Sequence, residues 1–320
     1  MPSVPSRQQD LDRECLRRRL RRQRQATALG VVLVLAALLG LGLFLSNRDG
    51  SSLSQRARPG ETSSGRKVVR PTSPSAVSWL TALAELIDKT SHLGERAALD
   101  RFAARGLPLY CGGSSGRLVA LTFDDGPGSY TRRALKILRR KHVRATFFLI
   151  GRHVPSLQSP LRQELRDYSA LGIHAWTHRS LTRLGRAQIA HQIIWTNKAI
   201  SKATGTEVRL FRPPYGARNA RVDRIARRLG MIEVLWSIDS GDSQGEKWRQ
   251  IGREVLRNIQ PGSIVLLHEN RGQTIRALHR LILPGLEKRG LTPVTVPELL
   301  MLDPPPLNGS SDRCWAHWHP

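Results

Sequence analysis

The stretch Leu118–Pro127 reads LVALTFDDGP, a short apolar run with Thr and Phe that ends on two adjacent aspartates and a Gly-Pro turn. Apolar, β-branched and aromatic residues bounded by turn residues mark a strand, here 118–123. Working outward, similar runs follow at 145–150 (ATFFLI), 172–176 (GIHAW), 208–211 (VRLF), 231–236 (MIEVLW), 263–268 (SIVLLH) and 292–296 (TPVTV). The segments between them, at about 130–141, 158–170, 187–203, 218–229, 246–259 and 273–289, carry apolar residues at helical spacing. Strands that alternate with helices imply βα units and a parallel sheet. With right-handed crossovers, seven strands give an α/β fold of the distorted (β/α)7-barrel type, with an open doubly wound sheet as the alternative. Either way, functional residues gather at the carboxyl ends of the strands.

Upstream, Ala26–Leu45 is a run without a single charge, long enough to cross about 30 Å of hydrocarbon. It exceeds a signal-peptide core and lacks a small-x-small cleavage site, so it reads as an uncleaved anchor. Eight arginines against three acids precede it, which keeps the N-terminus cytoplasmic and sends everything after Asn47 across the membrane. The expected organisation is a basic tail (1–25), a transmembrane anchor (26–45), a Ser-, Arg-, Gly- and Pro-rich flexible linker (46–75) and a helical lead-in (76–116). The main α/β domain (117–302) and a Pro-rich tail (303–320) follow. The protein is then a single-pass cell-membrane protein with its main domain extracytoplasmic. Cys15 falls on the reducing side, Cys111 and Cys314 on the oxidising side, where they either pair as a disulfide or stay as two free thiols.

The net charge of +26 admits nucleic acid, an anionic membrane face or an acidic polymer as partner. No RNA-reading motif or zinc-finger cysteine spacing gives nucleic acid a specific hold, so nucleic acid is set aside. No protein partner is identifiable.

Polar groups collect where the strands end. Asp124 and Asp125 follow the first strand; His174 and His178 lie four apart, a spacing that on a helical turn projects both imidazoles to one side. Two histidines and a carboxylate can hold one divalent cation and leave positions open for water and substrate, as a hydrolytic metal requires. No Glu follows the first His, which excludes the H-E-x-x-H protease pattern. Arg212, Tyr215, Asp239, Asp242 and His268 stand at further strand ends.

Taken in order, T-F-D-D-G-P (122–127), H-x-x-x-H (174–178), R-P-P-Y (212–215), D-S-x-D (239–242) and L-L-H (266–268) resemble the polysaccharide deacetylases of the NodB-homology type, carbohydrate esterase family 4. The resemblance covers about residues 117–300 and makes 117–302 the catalytic domain. It implies that Asp125, His174 and His178 bind a divalent metal, zinc ahead of cobalt or another ion, which acidifies water and polarises the acetamide carbonyl. It further implies that Asp124 is the general base, held by Arg212, and that His268 is the general acid, kept protonated by Asp242. The backbone N–H of Tyr215 would contact the oxyanion, and Leu266 would line the acetyl pocket. The implied substrate is an extracytoplasmic polysaccharide, peptidoglycan ahead of neutral chitin-like glycan because the chain is basic. Two positions depart from the family pattern: Ala175 replaces the usual Ser or Thr after the first metal histidine, and Ser243 replaces the usual Trp after Asp242. They leave a glycan-binding pseudoenzyme, or an amidase on another N-acyl substrate, as alternatives.

Overall fold

The structure, a computed structural model, describes residues 76–306 except 107 and 158. The expected anchor Ala26–Leu45, the linker, Cys15 and Cys314 lie outside the described residues. Among those described, no helix is long and apolar enough to cross a membrane.

The main domain is an eight-stranded, wholly parallel sheet. Its strands are β1 (Leu118–Gly126), β2 (Ala145–Leu149), β3 (Ser169–Ile173), β4 (Leu210–Phe211), β5 (Ile232–Glu233), β6 (Ile238–Asp239), β7 (Ile264–His268) and β8 (Thr292–Val294). They run in the order β5-β4-β3-β2-β1-β7-β6, with β8 pairing the start of β1 off this path. The count exceeds the seven expected because β6 is only two residues long and shows no periodicity. β3 begins and ends earlier than 172–176, leaving both histidines beyond it.

β5 and β6 stand at opposite ends of this order, yet only residues 234–237 separate them along the chain. A flat sheet would hold them several strand spacings of about 4.8 Å apart, so the sheet curls until its ends approach. No ladder joins them among the described residues, and the barrel stays open along that seam. The lead-in covers it. Its helix, the single element Ala76–Arg105, ends shortly before Leu109, which bridges Val234 in parallel while Cys111 bridges Ser263. Cys111 is buried and disulfide-bonded.

Side chains on successive residues of a strand point to opposite faces, and this alternation sorts the molecule. Val119, Leu121, Phe123, Ala145, Phe147, Leu149, Ile173, Phe211, Val265 and Leu267 pack outward with the surrounding helices. The intervening residues Ala120, Phe148, Leu210, Ile232, Val234 and Ile264 face inward, where Phe102, Leu109, Val296, Leu299 and Leu300 plug the lower end of the barrel. Continued upward, the inward series becomes Thr122, Asp124, His174, Arg212, Leu266 and His268. The upper end of the barrel interior is therefore polar.

Gly172, on the inward face of β3, leaves room for the Phe148 ring: a Cβ there would lie 2.4 Å from it. Gly172→Ala should destabilise the protein by about 1–3 kcal/mol in chemical denaturation. Gly185→Ala, whose nearest contact is 3.7 Å away, should change it far less.

Candidate active site

Strand register brings the site residues together. Asp124 pairs with His268 across β1 and β7, and Ile173 pairs with Phe211 across β3 and β4, so His174 and Arg212 leave their strands side by side. The Arg212 amide donates to the Ile173 carbonyl, and the Arg212 carbonyl lies 2.8 Å from His174 Nδ1. That contact makes Nδ1 the protonated nitrogen of a neutral His174 and leaves the Nε2 lone pair facing the site. Complete burial holds the imidazole pKa down, against the pull of Asp124.

Arg212 has no exposed surface. Its Nε donates to the Val234 carbonyl (2.9 Å) and Nη2 to the Leu235 carbonyl (2.9 Å). Nη1 donates to Thr122 Oγ1 (2.8 Å) and to Asp124 Oδ1 (2.8 Å). Phe148 and Trp236 lie over the guanidinium, 4.1 and 5.5 Å from ring centre to Cζ. One carboxylate oxygen of Asp124 is thus fixed by Arg212, and the other points toward His174, 3.6 Å from Nε2.

Two consecutive aspartates on a regular strand would face opposite sides of the sheet. Here β1 is irregular between Phe123 and Gly126, and Asp125 has φ 70°, a left-handed backbone that a bulge accommodates. Its carboxylate is thereby turned into the same site, with Oδ1 3.1 Å from His178 Nε2 and 3.7 Å from His174 Nε2. Burial opposes ionisation of Asp125, but the His178 ring beside it and the other nearby imidazoles outweigh it and hold the carboxyl well below the usual range. One donor atom from each of Asp125, His174 and His178 lies within 4.8 Å of the others, and Asp125 Oδ1 is buried without a hydrogen-bond partner. Two imidazole nitrogens and an unsatisfied carboxylate oxygen fit a divalent cation.

The histidines do not share a helical turn, contrary to the expectation from their spacing. Residues 174–178 form a loop in which Ala175 (φ 61°) and His178 (φ 58°) are left-handed, and this reversal, not helical periodicity, aims both rings at Asp125. Backbone bonds pin the loop: His174 donates to Leu149, Gly151 to Ala175 and Arg152 to Trp176. Gln192 Oε1 accepts from the amide of Thr177 (2.8 Å) and from its hydroxyl (3.1 Å). These contacts steady the loop at a place where Ala175 has no hydroxyl to offer.

Opposite, Asp242 accepts from His268 Nδ1 (2.7 Å), from the His268 amide (2.7 Å) and from Thr274 Oγ1 (2.6 Å). Burial disfavours the charged imidazole, but Asp242, with Asp124 and Asp125 behind it, pushes the His268 pKa up to about 9. Asp242 is held below its ordinary value: the His268 and Thr274 bonds overcome its burial. Leu266 is buried on β7. Tyr215 is exposed, left-handed (φ 64°) and edge-on to His178 at 4.7 Å. Asp239, by contrast, bonds locally to the Gly241 amide.

Sequence reasoning missed Phe148, Trp236, Thr274 and Glu269. The first two read as ordinary core residues. Glu269 is fully buried beneath Gly126, where a Cβ would collide with its Oε1. Burial, reinforced by Asp125 and Asp124 and only partly countered by Thr131, pushes its carboxyl up to about 8. Its place directly after His268 was the available signal.

Loss of the Thr177 anchor should loosen His178. In Gln192→Ala, the zinc dissociation constant, measured by competition with a chromophoric chelator, is expected to rise about tenfold.

A family model described as polysaccharide deacetylase matches residues 112–234. The chain is 36% identical over 182 residues to a peptidoglycan-N-acetylglucosamine deacetylase of Listeria monocytogenes, covering 57% of this chain and 38% of that protein. It spans well under half the length of the first curated relatives it matches. It is also 35% identical over 188 residues to a chitooligosaccharide deacetylase of Azorhizobium caulinodans, covering 54% of this chain and 89% of that protein. Among solved structures, a carbohydrate esterase family 4 pseudoenzyme from Bacillus anthracis superposes with a TM-score of 0.57 at 33% identity, over 61% of this chain and 69% of that one. With a relative of this identity matched over nearly its whole length, and with the shared fold, the chain belongs to the polysaccharide deacetylase family.

Proposed function

We propose that this protein is a metal-dependent N-deacetylase that releases acetate from N-acetylated amino sugars of an extracytoplasmic polysaccharide, with peptidoglycan as the substrate. One observation carries the reading. A carboxylate that is fixed by a buried guanidinium and left out of the cation cluster, Asp124, stands in register beside a carboxylate-bound imidazole, His268, on the neighbouring strand.

Asp125, His174 and His178 would hold the cation, with zinc the proposed ion, and it would supply Lewis-acid polarisation of the acetamide carbonyl and a lowered water pKa. The chain's own residues then divide the proton work. Asp124 Oδ2, left free by Arg212, takes a proton from the attacking water as its oxygen bonds to the acyl carbon. We assign the developing oxyanion to the backbone N–H of Tyr215, and the acetyl methyl to a pocket at Leu266. As the C–N bond breaks, His268 gives its Nε2 proton to the departing nitrogen, and Asp242 stabilises the imidazolium until then. Acetate and a free amino sugar result.

The peptidoglycan deacetylase of Listeria and the net charge of +26 support an anionic wall glycan over neutral chitin. The uncharged run Ala26–Leu45 and the arginines before it support a membrane anchor that presents the domain outside the cell. Ala175 and Ser243 are the observations that favour a glycan-binding pseudoenzyme instead.

Acetate release separates the two. The protein stripped by chelator and reloaded with zinc should deacetylate N-acetylated peptidoglycan, and Asp124→Ala should lower kcat by about a hundred- to ten-thousand-fold. Tight zinc binding with no acetate release would favour the pseudoenzyme. The pH profile follows from His268, which works only while protonated. Its pKa is raised, so the alkaline limb of kcat should fall as pH rises through about 9. Asp242→Asn removes the stabilising charge, and the falling limb should move to lower pH.

A further inference from the structure

The helix Arg186–Thr204 lies against the loop that carries the two histidines, and the surface they share takes no part in the reaction described above. Gln192 of that helix holds Thr177. Nearly one turn further on, Trp195 lies edge-on to Trp176, with ring centroids 5.7 Å apart, and the His191 ring also packs against it. Trp195 is nevertheless 48% exposed. A scattered exposed apolar residue needs no explanation, but this indole is braced on two sides and offers the remainder of its surface to solvent at a fixed orientation.

Beside it lies a depression of about 410 Å³ lined by Arg179, Leu184, Ala187, Gln188, His191 and Gln192, within the range of small-ligand sites. Its wall is tied to the histidine loop, since Arg179 directly follows His178 in the chain and Gln192 holds Thr177. The stretch that lines it carries charge of one sign: residues 174–192 contain Arg179, Arg183 and Arg186 and no Asp or Glu. All three are exposed, and none forms an ion pair among the described residues. By contrast, a larger Arg-lined cavity under the barrel, about 970 Å³, also has Glu95 and Glu207 in its wall, and its Arg144 and Arg209 pair with Glu298 and Asp100. That cavity has little charge left over for a ligand.

We propose that the Trp195 surface is an outer subsite for an acidic glycan strand. A sugar flanking the reacting unit lays its apolar face on the Trp195 ring, and its carboxylate meets Arg179 and the neighbouring cations. The subsite rests on the deacetylase reading for its place beside the reacting unit, and it narrows the substrate class to glycans that carry carboxylates near the acetamide.

Binding to the metal-free full chain in detergent tests it without catalysis. Calorimetry compares an acidic hexasaccharide of alternating N-acetylglucosamine and N-acetylmuramic acid with neutral N-acetylchitohexaose. Arg179→Gln should weaken binding of the acidic oligosaccharide about tenfold and leave the neutral one unchanged. Trp195→Ala should weaken both severalfold, while Trp195→Phe, which keeps a ring, should retain most of the affinity. Equal affinities in wild type and variants would overturn the subsite, as would absence of binding by wild type or an Arg179→Gln effect equal on both oligosaccharides. Acetate release by wild type with unchanged binding in the variants would remove the subsite alone. The expected binding pattern without acetate release would remove the deacetylase reading alone.

Discussion

Arg212 carries its charge with no exposed surface. Taking a guanidinium out of water costs several kcal/mol even after relaxation, and the cost is offset only if nearly every donor finds an acceptor. Four of its N–H groups do, at Val234, Leu235, Thr122 and Asp124; two of these acceptors lie on β1 and two directly follow β5. The partners must therefore sit in one register for the guanidinium to be satisfied. Gly172 gives Phe148 its space, Phe148 stacks on Arg212, and Arg212 fixes Asp124. A packing choice on β3 thus reaches the proposed base through three contacts.

The same constraint separates the two adjacent aspartates. Asp124 follows the strand pleat inward and meets the guanidinium. Asp125 would face outward but for its left-handed backbone, which delivers it to the imidazoles. Neighbouring carboxylates repel in a site of low dielectric; here one is matched by Arg212, and the other is set among the histidines. Glu269, fully buried beneath the turn, adds no third negative charge while its carboxyl pKa stays near 8.

Much of this was legible in the sequence, because alternating apolar runs report βα units and chemistry at their ends follows from parallel strands. The positions of Asp124, Arg212 and His268 depend on register alone, and the motif order conveys it. The histidine loop was misread, since a four-residue spacing looks helical while its path depends on left-handed Ala175 and His178, which no side-chain pattern announces. β6 and the open seam escaped for another reason: a two-residue strand has no period, and closure by Leu109 and Cys111 is a long-range event. Phe148 and Trp236 were hidden by being apolar, since their contact with Arg212 cannot be told from core packing until the fold is known.

The most direct measurement of the account is anomalous diffraction from crystals of the zinc-loaded protein, which locates the ion without reference to activity. The account predicts one strong peak within coordination distance of Asp125, His174 and His178, with Asp124 outside that shell and still bonded to Arg212. A peak bound by Asp124 in place of Asp125, or one located away from both histidines, would contradict the division of labour between the two carboxylates.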